Sequence, residues 1–251
     1  MNDLPKNNIV AIASGKGGVG KTWMAITLSH LFARSGRRAL LFDGDIGLAN
    51  VDVQLGLTPE RDLRSVFEGK STLKEIVFHH PGGFDILAGR SGSTSMSSVS
   101  LTRLSTIKSD LIQLSRSYDV VFIDLGAGIE QYVQFMSSIA SRVIVVITDE
   151  PTSLTDAYAF IKLCATKLHN PDVLVIVNQA ASQKEGERTF GALEKACSSF
   201  LKVTPVLLGI VRKDNKVKDA IRSQVSLVDK APHTIAATDA AAISIKLMQQ
   251  L

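Results

Sequence analysis

The sequence predicts an α/β fold: a doubly wound, mainly parallel sheet with helices on both faces. Three observations carry this. Seven short apolar runs recur along the 251 residues, and most are continuous rather than alternating, as strands buried on both faces require. Segments with helical spacing lie between them. A glycine-rich turn joins the first strand to the first helix, and folds of this kind gather ligands at the carboxyl ends of their strands.

After a polar leader (residues 1–7), Ile9–Ala13 is the first strand. Trp23–Ser35 is the first helix, with Met24, Ile26, Leu28, Leu31 and Phe32 including the i, i+4, i+7/i+8 spacing of an amphipathic face. Ala39–Phe42 and Phe84–Leu87 are the next strands; Gly89–Ser100, rich in Ser, Gly and Thr, reads as an exposed loop. The helix Ser100–Arg116 leads to strand Val120–Ile123, then strand Val143–Ile147 and helix Thr155–Lys167. Strand Val173–Val177, helix Gly186–Phe200 and strand Val206–Ile210 follow. A last helix over Asp239–Leu251 carries Ile243, Leu247 and Leu251 on one stripe, which packs on the core. The whole, 1–251, reads as one domain, and a chain of this length builds a sizeable core without disulfides or metals.

Composition excludes several classes. Cys164 and Cys197 lack C-x-x-C spacing, so neither a zinc nor an iron–sulfur site is indicated; they read as buried thiols of a protein in a reducing cytoplasm. No run of 18 apolar residues exists and Met1–Asn8 is polar, which argues against a membrane span and a secretory signal. The net charge of +4 suits anionic partners such as DNA or lipid headgroups, and a dispersed solvated surface equally.

The stretch Gly15-Lys16-Gly17-Gly18-Val19-Gly20-Lys21-Thr22 fits G-x-x-x-x-G-K-[ST], here with the strand before and the helix after that the pattern needs. Its glycines let backbone N–H groups and the helix N-terminus face a phosphate chain. Lys21 is placed to reach the β/γ-phosphates and Thr22 to hold Mg²⁺. Two strands end in carboxylates: Leu40-Leu41-Phe42 runs into Asp43-Gly44-Asp45, and Val120-Val121-Phe122-Ile123 into Asp124-Leu125-Gly126-Ala127-Gly128. An unpaired carboxylate there is costly, and Mg²⁺ is its natural partner because that ion favours one or two carboxylates plus phosphate oxygens. The alternative for each aspartate is a cap or turn. The glycines beside them permit loop rearrangement when a γ-phosphate binds or leaves.

With its second lysine, Lys16, the loop GKGGVGKT resembles the deviant Walker A motif of the MinD/ParA superfamily of P-loop NTPases (SIMIBI type), and the resemblance runs from Asn8 to about Leu247. It implies an ATPase in which two subunits sandwich ATP and Lys16 contacts phosphate across the interface. A solvated lysine is the plainer alternative. The resemblance makes Lys16, Lys21 and Asp45 the catalytic set, with Asp45 orienting the attacking water, and Thr22, Asp45 and Asp124 the metal-side set. Gly126 would give its N–H to the γ-phosphate, and Asp43 would anchor the loop. Asn178, Arg212 and Asp214 correspond to the adenine-flanking positions, although relatives usually carry proline where Arg212 stands.

Asp43–Leu57 (DGDIGLANVDVQLGL), Pro81–Phe84, Asp124–Ile129 and Glu150–Tyr158 resemble the flagellar-number regulators FlhG/FleN within that superfamily. The implied function is a dimerising switch with slow Mg²⁺-dependent hydrolysis of ATP to ADP, positioning or numbering a cellular structure such as the flagellum. Its partners would be a second copy with ATP and proteins that stimulate or recruit it, in the cytoplasm or peripherally at the inner membrane face or a pole. Two departures bear on the membrane: the last helix holds one cation, Lys246, where a membrane-surface helix wants several, and the leader of about eight residues lacks the longer activator motif of relatives. The alternative reading is a ParA-type DNA-segregation ATPase, with Lys213, Lys216, Lys218 and Arg222 contacting DNA nonspecifically. The absence of a cysteine pair disfavours a metal-cluster carrier.

Overall fold

The structure, a computed structural model, describes residues 7–45, 47–89, 101–168 and 171–251. Its first half runs β1 (Ile9–Ala13), α1 (Lys21–Arg34), β2 (Ala39–Gly44), α2 (Val51–Leu55), α3 (Leu63–Phe67), β3 (Phe78–His79), β4 (Asp85–Leu87) and α4 (Leu101–Ser115). Then follow β5 (Val120–Leu125), α5 (Gln131–Ser137), β6 (Arg142–Ile147), α6 (Pro151–Lys167), β7 (Asp172–Ala180) and α7 (Gln183–Ala196), which passes into a π turn at Cys197–Leu201. The chain finishes with β8 (Val206–Arg212), α8 (Asn215–Arg222), α9 (Leu227–Lys230) and α10 (Ile235–Met248).

The eight strands form one sheet in the order β3-β4-β2-β5-β1-β6-β7-β8, parallel throughout except for the β3–β4 pair. This is the expected doubly wound α/β architecture. Alternate residues of each strand serve opposite faces, and both faces are covered. Ile9, Ala11 and Ala13 pack with α3 to α7, whereas Val10 and Ile12 pack with α1, α2 and α8 to α10. Both cysteines are buried in the first of these layers, as expected. Burial pushes both thiols up, to about 12 for Cys164 and about 11 for Cys197, so neither is a reactive thiolate.

The continuous apolar strands match their expected positions to within a few residues, and the helix starts moved more. α6 begins at Pro151, four residues before the expected Thr155, because proline's missing N–H costs nothing in a first turn. α7 begins at Gln183 behind Ser182, whose hydroxyl accepts from the Glu185 N–H. α10 runs from Ile235 to Met248 rather than Asp239–Leu251, and Ile243 and Leu247 are buried on it as the stripe required. The leader 1–6 and the loop residues 90–100 lie outside the described residues.

Register is what builds the site. Pairing of β2 with β5 sets Asp43 beside Asp124, and pairing of β1 with β5 sets Ile12 beside Asp124. Both carboxylates project to the face that carries α1, since Leu41 and Phe122, two residues earlier on their strands, belong to that layer. The chain turns from one side of β1 to the other as β5 is followed by β6, so the crevice at these strand ends is the topological switch point.

Candidate nucleotide site

The loop between β1 and α1 is held from behind and open in front. Gly18 and Gly20 have φ of 80° and 94°, in the left-handed region that glycine adopts without strain. At Gly20 a Cβ would also lie 2.3 Å from Nδ2 of Asn178. Gly15 presses on α6, where a Cβ would meet the Asp156 backbone at 2.4 Å. Gly17 and Gly18, in contrast, have nothing within 4 Å of that position, so the loop's front is an empty cradle. That front lines a cavity of about 720 Å³, together with Lys21, Thr22, Trp23, Gly44, Asp45, Leu48, Gln54, Gly126, Glu130 and Tyr132.

Charge is unbalanced behind this cavity, around Asp124 and Asp43, which are buried and do not line it. Both carboxylate oxygens of Asp124 are buried without a hydrogen-bond partner among the described residues. Burial pushes its carboxyl up to about 7, against the pull of the Thr22 hydroxyl and the Lys21 ammonium, while Asp45 adds to the rise. The Thr22 hydroxyl acts here through proximity, short of hydrogen-bond geometry. Asp43 is pushed up to about 8 by burial and by Asp124, although its oxygens accept from the Asp45 and Val51 N–H groups at 3.3 and 3.2 Å. It therefore pins the loop after β2, as expected of an anchor. Lys21 is buried, and desolvation lowers its affinity for a proton, an effect that Asp124 and Asp45 only partly offset. An orphaned acid beside a buried ammonium and an open glycine cradle is a donor set that fits Mg²⁺ and a phosphate chain.

Lys16 sits at the rim. Its Nζ pairs with Oε2 of Glu150 and lies 3.1 Å from Thr152 Oγ1, both in the first turn of α6 or beside it. This partner, 134 positions away, carries no local sequence signal, although Glu150 opens one of the stretches that carry the flagellar-regulator resemblance. Trp23, whose buried indole N–H has no partner among the described residues, and Tyr132 also line the cavity and were not foreseen.

The three residues expected around the base are already engaged. Asn178 is buried and donates to the Val19 carbonyl at 2.8 Å, tying β7 to the phosphate loop. The Arg212 backbone N–H and Nε each donate to Asp239 Oδ2 at 2.9 Å, and its Nη2 donates to Oδ1 at 2.7 Å. Asp214 caps α8, accepting from the Lys216 N–H at 2.9 Å and, through its other oxygen, from the Ala236 N–H at 3.3 Å. None of the three lines the cavity. The basic cluster on α8 is partly neutralised within its own helix, Lys216 lying 3.6 Å from Asp219.

Residues 10–228 match the family described as the CobQ/CobB/MinD/ParA nucleotide binding domain. The chain belongs to this family. As a member of this group of P-loop ATPases it is a nucleotide-binding protein. Over 247 residues it is 36% identical to the antiactivator FleN of Pseudomonas aeruginosa, covering 98% of this chain and 88% of that protein. It is 30% identical to the flagellum site-determining protein YlxH of Helicobacter pylori, over 90% of this chain and 76% of the relative. The septum site-determining protein MinD of Pyrococcus horikoshii, solved with Mg-ADP, shares the fold at a TM-score of 0.80 and 21% identity, covering 96% of each chain. Among the described residues no helix is long and apolar enough to cross a membrane.

Proposed function

We propose that this chain is an ATP-driven dimerising switch with slow Mg²⁺-dependent hydrolysis, acting in flagellar placement or number from the cytoplasm or the inner membrane face, as one nucleotide-binding domain. The observation that carries the reading is the orphaned Asp124 carboxylate facing Lys21 and Thr22 beneath an open glycine cradle. The flagellar assignment is supported by similarity to an antiactivator and to a flagellum site-determining protein.

In this reading the N–H groups from Gly17 to Thr22 hold the β- and γ-phosphates, and Lys21 neutralises the charge that gathers on their oxygens. Thr22, Asp45 and Asp124 would hold Mg²⁺, which would supply charge stabilisation for the phosphate chain. Asp45, one residue past the end of β2, orients a water for in-line attack; the bond from the γ-phosphorus to the bridging oxygen breaks and ADP and phosphate leave. Gly126 offers its N–H to the γ-phosphate. Lys16 leaves Glu150 to reach the phosphates of the second copy. Stimulating or recruiting proteins bind the paired form.

Light scattering with Mg-ATP and with Mg-ADP tests this. Wild type doubles in mass with ATP only; Lys16→Ala stays monomeric; Asp45→Ala stays paired because it no longer hydrolyses. A Lys16→Ala variant that pairs and turns over normally refutes the assignment. ATP-dependent retention on DNA that collapses by about 10³ between 50 and 200 mM salt would favour the segregation reading instead.

A further inference from the structure

The Tyr132 hydroxyl is a buried polar group without a hydrogen-bond partner among the described residues. It belongs to the second residue of α5, the helix entered through the Gly126–Gly128 loop that follows Asp124. Its ring packs against the core layer formed with α3 to α7, which fixes the direction of the C–O bond. Its oxygen is buried in the wall of the nucleotide cavity and has no hydrogen-bond partner among the described residues. Burial pushes the phenol well above its ordinary range, and the negative charges of Asp43 and Asp45 push it further, so the group remains a protonated donor. A buried hydroxyl without a partner is unfavourable, so such a group persists where a ligand or a closed state satisfies it.

Of the two aspartates that act on this hydroxyl, Asp43 already receives two backbone N–H groups and is pinned. Asp45 stands just past the end of β2, on the loop, and its carboxylate faces Gly126, where a Cβ would lie 3.3 Å from Oδ1. Tyr132, at the start of α5, and Asp45, on the loop after β2, thus line one cavity.

We infer that Tyr132 is a positioning residue: when the loops close on ATP its hydroxyl donates to the Asp45 carboxylate and holds it in the orientation that aims the attacking water. The inference rests on the proposed hydrolytic role of Asp45. It also links α5 to the γ-phosphate, because the bond forms only in the closed state.

The test is Tyr132→Phe, which removes one oxygen and leaves the packing. Affinities for ADP and for a non-hydrolysable ATP analogue are read from the fluorescence of Trp23, the chain's single tryptophan, which lines the same cavity. Turnover is measured with Mg-ATP. The expected variant binds ADP like wild type, loses severalfold of its preference for the ATP analogue, and drops about tenfold in kcat with KM little changed. Its melting temperature is equal to or above that of wild type, since the lost hydroxyl had no partner. In an Asp45→Ala background the same substitution has no further effect.

Unchanged kcat and unchanged ATP-over-ADP preference overturn the inference. So does a clear fall in melting temperature, which would mean that the hydroxyl already holds a partner in the nucleotide-free fold. If wild type itself shows no turnover, the hydrolytic reading fails; the preference for the ATP analogue over ADP then decides Tyr132 alone.

Discussion

Asp124→Asn should stabilise the nucleotide-free protein, and the gain should grow with pH. The wild-type carboxyl is raised from 3.8 to about 7, chiefly by burial. The folded state therefore holds a proton between about pH 4 and 7 that the unfolded chain has released, and stability is lost as pH climbs through that window. A shift of about three units corresponds to about 4 kcal/mol at full ionisation, an upper figure for so enclosed a site, and about 2 kcal/mol of it develops between pH 5 and 7. Asparagine has the same shape, and neither Asp124 oxygen accepts a hydrogen bond among the described residues, so no contact is broken. Lys21 keeps Asp45 as a counter-charge. Relief of Asp43, which Asp124 pushes upward, adds to the effect. Urea denaturation of both proteins at pH 5 and pH 8, with and without Mg-ADP, reads this difference directly. The variant should gain several kcal/mol over wild type at pH 8, much less at pH 5, and should lose the stabilisation that wild type draws from Mg-ADP. A variant less stable than wild type at pH 8 without nucleotide would refute the account of Asp124 as an unpaired buried acid.

Two further substitutions probe the frame around the cavity. Gly20→Ala places a Cβ on a backbone with φ of 94° and 2.3 Å from Asn178 Nδ2, so it should cost about 2–3 kcal/mol in urea and abolish ADP binding in a titration. Arg212→Met leaves the buried Asp239 carboxylate without its guanidinium and should lower the urea midpoint, less than breaking a fully buried pair because the arginine is partly exposed, while ADP affinity stays unchanged. A tenfold loss of ADP affinity with stability intact would return Arg212 to the base-binding role.

Much of the sheet was legible because most strands are continuous apolar runs buried on both faces; the two-residue edge strand β3, half-buried at Phe78 and exposed at His79, carries no such signal and was not expected. The phosphate loop was legible for a local reason: its glycines, Lys21 and Thr22 are neighbours in sequence and the motif is complete within eight residues. What brings Asp43 beside Asp124 is strand order, and residues 81 positions apart acquire a register only when β2 and β5 pair. The short helices α2, α3, α5, α8 and α9 carry too few turns for a periodic signal, which is why Tyr132 on α5 escaped notice. Lys16 with Glu150 and Asn178 with Val19 are likewise joined only by tertiary packing.

Arg212 shows how a resemblance can locate a position and still leave its chemistry open. The motif places it at the end of β8, beside the nucleotide end of the sheet, and there it stands. A proline at that place has no N–H to give. The arginine gives its backbone N–H and two guanidinium hydrogens to one carboxylate on α10, so the end of β8 and the last helix are fastened by three bonds to Asp239. Gln183 adds a longer fourth contact at 3.5 Å from the start of α7. Charge-assisted bonds are stronger than neutral ones, and the buried Asp239 carboxylate needs them even though the guanidinium is partly exposed. Asp239 is thus the point where three elements meet, its own α10, β8 through Arg212 and α7 through Gln183, so the arginine's role here is structural.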